Sequence, residues 1–348
     1  MRLLIYLPLL IPALAAVAAR PLAARLEPRR ATWLLTVAIV ALACCSMAAL
    51  ALLAAAAAAR LPFVAALADY SQPVVRRGDA TSAVTGVAAA LLLTGASAAV
   101  AVVFRRRTRA LAESYRRAAR LDTEGVVVLP GPAIEAYALP GWPGRIVVSA
   151  SLLDALDDDG RAALLAHERS HLAARHHLFT TVAHLAATAN PLLLPVARTV
   201  DYTVERWADE HAATCTGDRH LVAATIARVA LLATPRSRPM AGAALGIVRP
   251  PSQRRRTSHG VRRRHGITSL HWTGPLRFQA RRARPQRRIS LAWAGPVPRR
   301  VAALLAPLPP RRTWLLAAAA LIVLLAGASA LEAARDLHAL LDLARGAG

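Results

Sequence analysis

Two histidines and a glutamate stand at the spacing that a metal-dependent hydrolase needs. His167, Glu168 and His171 read H-E-x-x-H inside residues 162–174, an Ala/Leu-rich run without Gly or Pro. Such a run is predicted helical. Four residues apart on a helix, the two imidazoles share a face and can grip one Zn²⁺ per chain. Glu168, adjacent to them, can serve as general base on a water. Zinc with two His needs a third protein ligand and leaves one position open. A second helical pattern starts at Pro191 and runs to about residue 213. It carries Glu205 and Asp209, again four apart and therefore on one face. Glu205 is the candidate third ligand, and Asp209 the candidate partner that orients a ligand imidazole. Asp201, Glu210 and His211 are the rival ligands. A donor for the oxyanion is expected; Tyr202, His211 and His220 are the candidates.

The elements that must position these residues are legible around them. Asp157, Asp158, Asp159 and Gly160 precede the first helix, where an acid can accept free N–H groups and suits the positive end of the dipole. Residues 126–129, 134–138 and 145–149 are short strand candidates separated by Pro and Gly. A small sheet beside the zinc helix could present an edge to an extended substrate. His176, His177 and His184 fall off the ligand spacing and read as interfacial or core residues. Residues 179–189 and 192–197, broken by Asn190-Pro191, suggest a helical hairpin that dips into a membrane or builds the protease core.

The paired motifs, with Ala136-Tyr137-Ala138-Leu139-Pro140-Gly141 and Gly144 to Ser149 before them, resemble the gluzincin membrane metallopeptidases. The nearest resemblance is to the BlaR/MecR type, metallopeptidase family 56. HtpX quality-control proteases and CAAX prenyl endopeptidases are more distantly similar. The BlaR/MecR resemblance implies site-specific cleavage that relieves a cytoplasmic DNA-binding repressor. Residues 332–348 are too few for the penicillin-binding sensor domain of such transducers, so β-lactam sensing is not carried over.

Composition sets the wider frame. Hydrophobic residues make up 55% of the 348, which with long uncharged runs indicates a membrane protein. Residues 3–19, 32–59, 81–104 and 313–331 are the expected spans. All 44 basic residues are Arg and the net charge is +24, a bias that by itself says little about nucleic acid. Arg20, Arg25, Arg29 and Arg30 crowd the first loop, and Arg105, Arg106, Arg107 and Arg109 follow the third span. By the positive-inside rule both lie in the cytoplasm, with the N-terminus outside. Residues 105–121 read as a basic helix facing anionic headgroups. Residues 249–288 hold thirteen Arg and no acid, and are predicted disordered. Cys44, Cys45 and Cys215 indicate neither a disulfide framework nor a thiolate metal site.

The reading is a mainly α-helical polytopic membrane protein with a cytoplasmic zincin-like α+β peptidase domain and a small β-sheet. Its parts are three spans within 1–104, the peptidase at 105–235, a basic low-complexity linker at 236–312 expected to be disordered, a fourth span at 313–331 and a short tail at 332–348. The expected activity is that of a zinc metalloendopeptidase in the cell membrane. Its expected partners are a protein or peptide substrate and membrane lipids; nucleic acid is not expected. HtpX/CAAX-type processing or quality control is the alternative. A non-catalytic adaptor with a lipid- or nucleic-acid-binding segment is another.

Overall fold

A computed structural model describes residues 4–67, 83–121, 125–233, 295–307 and 313–346. The Arg-rich stretch 249–288, expected to be disordered, lies outside the described residues. The protein is a mainly helical membrane protein with one small sheet. Among the described residues three helices are long and apolar enough to cross a membrane: α1 (Leu7–Arg25), α2 (Pro28–Ala58) and α3 (Ala83–Ala119). At 1.5 Å per residue even the shortest approaches the thickness of a hydrocarbon core, about 30 Å. α1 begins and ends later than the expected span, with a short 3₁₀ turn, Leu4–Tyr6, before it. α3 runs well past the expected span, so the basic juxtamembrane stretch continues the same helix. A Cβ at Gly86 would collide with the Ala57 side chain, so the missing side chain is what lets α3 approach α2 this closely.

The sheet follows. Strands β1 (Val126–Leu129), β2 (Ala136–Leu139) and β3 (Arg145–Ser149) take the order β1-β3-β2. β1 runs parallel to β3, while β2 pairs antiparallel with it, Tyr137 opposite Val147. β3 is buried along its length, as the central strand should be. The second strand starts two residues later than its sequence pattern suggests, because the Glu135 N–H donates to the Ser149 hydroxyl rather than to the backbone of β3.

After a short helical turn at Ala150–Asp154, four longer helices follow the sheet: α4 (Asp158–Ala173), α5 (His176–Ala189), α6 (Leu194–Thr216) and α7 (Arg219–Leu232). The Asp157 carboxylate caps α4 by accepting from the Gly160 N–H at 2.9 Å. Gly217, at φ 72°, ends α6 in the left-handed conformation that glycine adopts without strain. Pro191 opens a 3₁₀ turn, Pro191–Leu193, and α6 starts only after it. α8 (Pro296–Leu305) falls inside the linker expected to be disordered, yet it is helical and packs on α7 and α6 because Val301 and Leu304 give it an apolar face; α9 (Thr313–Gly346) carries the fourth expected span in its first half.

The α5–α6 hairpin packs into the membrane helices. Ala183, Ala187, Leu193, Val196 and Val200 share one buried core with Ile39, Leu42 and Ala43 of α2 and Ala19 and Ala23 of α1. At the hairpin tip the Asn190 amide donates to the Ser46 hydroxyl at 2.9 Å, and Ser46 donates to the Pro8 carbonyl at 2.8 Å. Asn190 Oδ1 accepts in turn from the Leu192 N–H. A polar tip is therefore satisfied deep among apolar helices, as such an environment demands. Nearer the metal site, the buried Arg206 guanidinium of α6 donates to the Ala23 carbonyl at 3.1 Å, placing a cation near the C-terminal end of α1.

Candidate metal centre

α4 and α6 pack against each other, and each contributes residues one turn apart to the contact. His167 and His171 project from α4, and Glu205 and Asp209 answer from α6. His167 Nε2 and His171 Nε2 lie 3.1 Å apart. Glu205 Oε2 is 3.7 Å from His167 Nε2, and Glu205 Oε1 is 3.7 Å from His171 Nε2. A tetrahedral ion at about 2.0–2.1 Å from each donor requires donor–donor edges of about 3.3 Å. The triangle fits such an ion with small side-chain adjustments. Among the described residues these three form the one group able to hold a metal.

The rivals are held elsewhere. Asp201 pairs with His184 at 2.9 Å, Glu210 with Arg219 at 2.6 Å, and His211 lies 3.6 Å from the Cys215 sulfur. None of the proposed oxyanion donors lines the metal site. Tyr202 sits beneath the Arg299 guanidinium, 4.2 Å from its ring centre. His211 lies six residues past Glu205 and opens onto a different cavity. His220 belongs to the first turn of α7, where the Asp218 carboxylate accepts from its N–H. Helical phase explains His211, about 120° round α6 from Glu205; Tyr202 shares a face with Asp209 but is taken up by Arg299.

Partners behind the ligands orient them. Asp209 Oδ1 lies 3.0 Å from His167 Nδ1. Its carboxylate is itself gripped by Arg300 of α8, whose Nε donates at 2.8 Å and Nη2 at 2.6 Å. Arg300 Nη1 also approaches Glu205 Oε2, at 2.9 Å. On the other side His176 Nδ1 is 3.0 Å from His171 Nδ1. His176 is buried and stacks at a tilt on Trp207. It is thus neither interfacial nor plain core, because the turn between α4 and α5 swings it back onto the ligand. Arg300 escapes a reading of the sequence because it stands 91 residues from Asp209. Its signal was faint: an arginine on the same helical face as Val297, Val301 and Leu304.

Burial and charge shape the titration of the set. Burial raises Glu168 above the usual glutamate value, against the pull of His167. Burial would raise Asp209 too, yet Arg300 and then His167 outweigh it and hold the carboxyl at about 2. His171 falls well below the ordinary histidine value, through burial and then the charges of His167 and Arg300, which leaves its nitrogen free to ligate. His167 is raised despite its burial, because Asp209, Glu205 and Glu168 surround it.

The centre stands where two cavities meet. One of about 270 Å³ runs from Glu168 toward Thr180, Thr181, Asp201 and Arg107. The other, about 690 Å³ and more apolar, spreads over Leu164, Val222, Ile226 and Val229. β2 borders both. Because the Glu135 carbonyl points to β3, alternation turns the backbone of Ala136 and Ala138 to the open edge. Ala138 makes a backbone hydrogen bond to the Glu168 carboxylate, tying that edge to the candidate base.

Residues 103–190 match the family model of Peptidase family M48. The stretch runs from the C-terminal part of α3 through His167, Glu168 and His171 to the hairpin tip, and stops short of Glu205. No curated protein and no solved structure matches the chain. The match supports a membrane-associated metallopeptidase of the M48 kind, while the motif resemblance read from the sequence pointed first to family 56.

Proposed function

We propose that the chain is a zinc metalloendopeptidase that hydrolyses polypeptides at the membrane surface. The observation that carries this reading is the His167–His171–Glu205 triangle with the buried Glu168 carboxylate one residue from His167. Zinc held by the three would supply Lewis-acid polarisation of the scissile carbonyl and acidify a water. Glu168 removes a proton from that water and delivers it to the leaving amine. Asp209 and His176 fix the two imidazoles, and Arg300 fixes Asp209. An extended substrate pairs with the open edge of β2 at Ala136 and takes over the Ala138 backbone contact now made to Glu168, so its chain passes between the two cavities.

The direction of the smaller cavity favours substrates that emerge from the membrane. Arg107 of α3 and Thr180 and Thr181 of α5 line it, and both helices run on into the apolar layer. Processing or quality control of membrane proteins is the reading this supports. Regulatory cleavage of a cytoplasmic repressor rests on the arginine asymmetry and the BlaR/MecR resemblance alone. The adaptor reading offers no reason to bury a carboxylate beside a ligand triangle. Substrate trapping decides among them. Glu168→Gln should keep about one zinc per chain and lose cleavage, and the proteins it retains identify the class. Full turnover by this variant would remove the mechanism.

A further inference from the structure

A third cavity, about 640 Å³, opens on the far side of α4 from β2, between α2, the α4–α5 turn and α6. Its walls include Arg29, Trp33, Arg175, Leu178, Phe179 and Trp207, and no Asp or Glu is among its lining residues. Neither the metal triangle nor Glu168 reaches it. We propose that this groove binds one anionic glycerophospholipid from the leaflet on the side of the metal centre, its phosphate between Arg29 and Arg175 and its acyl chains along Trp33, Leu178 and Val182.

Depth supports the assignment. α2 and α5 run side by side, with Trp33 against Phe179 at one end, ring centres 4.8 Å apart, and Ser46 bonded to Asn190 at the other. The thirteen residues from 33 to 46 span about 20 Å of helix. The groove therefore sits at the end of α2 where Arg20, Arg25, Arg29 and Arg30 cluster, at headgroup level, and its apolar wall descends toward the acyl layer. Trp33, Leu178 and Val182 are 54%, 43% and 38% exposed, a surface that suits lipid rather than water.

The charges are available for a ligand. Among the described residues neither Arg29 nor Arg175 has an ion-pair partner, whereas Arg30 is engaged by Glu27 at 3.3 Å. Arg29 lies over the Trp207 ring, 5.6 Å from its centre. Arg175 is the one non-glycine residue with positive φ among the described residues, at φ 50° and ψ 45°. That conformation is costly for an arginine and natural for glycine or asparagine. The backbone turn aims a cation at the groove mouth. A lipid seated there also rests on Trp207, which packs on His176, which in turn contacts the ligand His171.

Native mass spectrometry of the purified full chain, delipidated in detergent and titrated with dioleoyl phosphatidylglycerol or dioleoyl phosphatidylcholine, tests the site. Retention of one phosphatidylglycerol is expected, with a preference of about tenfold or more over phosphatidylcholine, since two arginines contribute. Arg29→Gln with Arg175→Asn should abolish the preference; Asn keeps the left-handed turn. Arg228→Gln with Arg335→Gln, both exposed and outside the groove and the basic 105–121 helix, removes the same charge elsewhere and should leave the preference intact. Equal preference in the groove variant, or equal loss in the charge-matched control, overturns the proposal. So does displacement of the lipid by free glycerol phosphate, which would make the ligand a soluble phosphate. The readout needs no peptidase activity, so it stands or falls apart from the proposed reaction.

Discussion

Replacing Asp209 by Asn removes one charge from a carboxylate that touches both the imidazole of the candidate ligand His167 and a buried guanidinium. The size of the effect can be worked from the contacts. Asp209 is 1% exposed and its carboxyl is held at about 2 rather than 3.8. At about 1.36 kcal/mol per pH unit, that gap corresponds to about 2 kcal/mol favouring the charged form in the fold. The sign follows from a depressed carboxyl: the stabilisation is present above pH 3.8 and is lost as pH falls toward 2. Asn forfeits it at neutral pH. It also leaves Arg300 with Glu205 as its remaining carboxylate, at 2.9 Å, so the guanidinium competes with the metal for a ligand. Loss of such a partner typically weakens metal binding about 10–100-fold. Zinc competition against a chromophoric chelator, run on the purified full chain, should show that weakening. Asp158→Asn, on the exposed first turn of α4, should show none. Adding Arg300→Gln to Asp209→Asn should cost less than the sum of the two single changes, because each leaves the other unpaired. Zinc held by Asp209→Asn within about twofold of the parent would refute the coupling of Asp209 to the site.

Other expectations follow from the same contacts. Glu168 must be ionised to take a proton and its pKa is raised by burial, so the acid limb of kcat/KM should lie above the usual glutamate value of 4.5. A limb at or below that value in the metal-loaded enzyme would show that the bound ion, not burial, sets it. Asn190→Leu removes the bond to Ser46 and should lower stability in detergent by about 1 kcal/mol, the scale of an interhelical hydrogen bond in a membrane, with the unfolding midpoint as readout. Thermal stability unchanged by that substitution would mean the hairpin tip is not pinned. Reporter fusions after Arg60 and after Arg120 should fall on opposite sides of the membrane, with Arg120 cytoplasmic. The reverse result would exclude a cytoplasmic repressor as substrate.

Much of the metal centre is a local matter. His167, Glu168 and His171 lie within five residues of a Gly- and Pro-free run, and 3.6 residues per turn is enough to put both imidazoles on one face. The same arithmetic pairs Glu205 with Asp209. Strand β3 was readable because Ile146, Val147 and Val148 form a short apolar run bounded by Gly and Ser. The apolar lengths of α1, α2 and α3 were readable because a bilayer sets the length a span requires.

What local spacing leaves open is the angle at which one helix meets another. Asp201, Glu205 and Glu210 all sit on α6, and only the packing of α6 on α4 presents Glu205 to the imidazoles and turns Asp201 toward His184. His176 lies off the ligand spacing, yet the turn at Arg175 folds it back onto His171. Arg300 arrives from α8 because α8 packs on α6 and α7, a contact no periodicity encodes. Asn190 could have capped a surface loop; only the burial of the hairpin among α1 and α2 makes Ser46 its partner. In each case the deciding energy is the burial of apolar faces from distant parts of the chain, which selects one docking of preformed helices and thereby chooses which polar side chains meet.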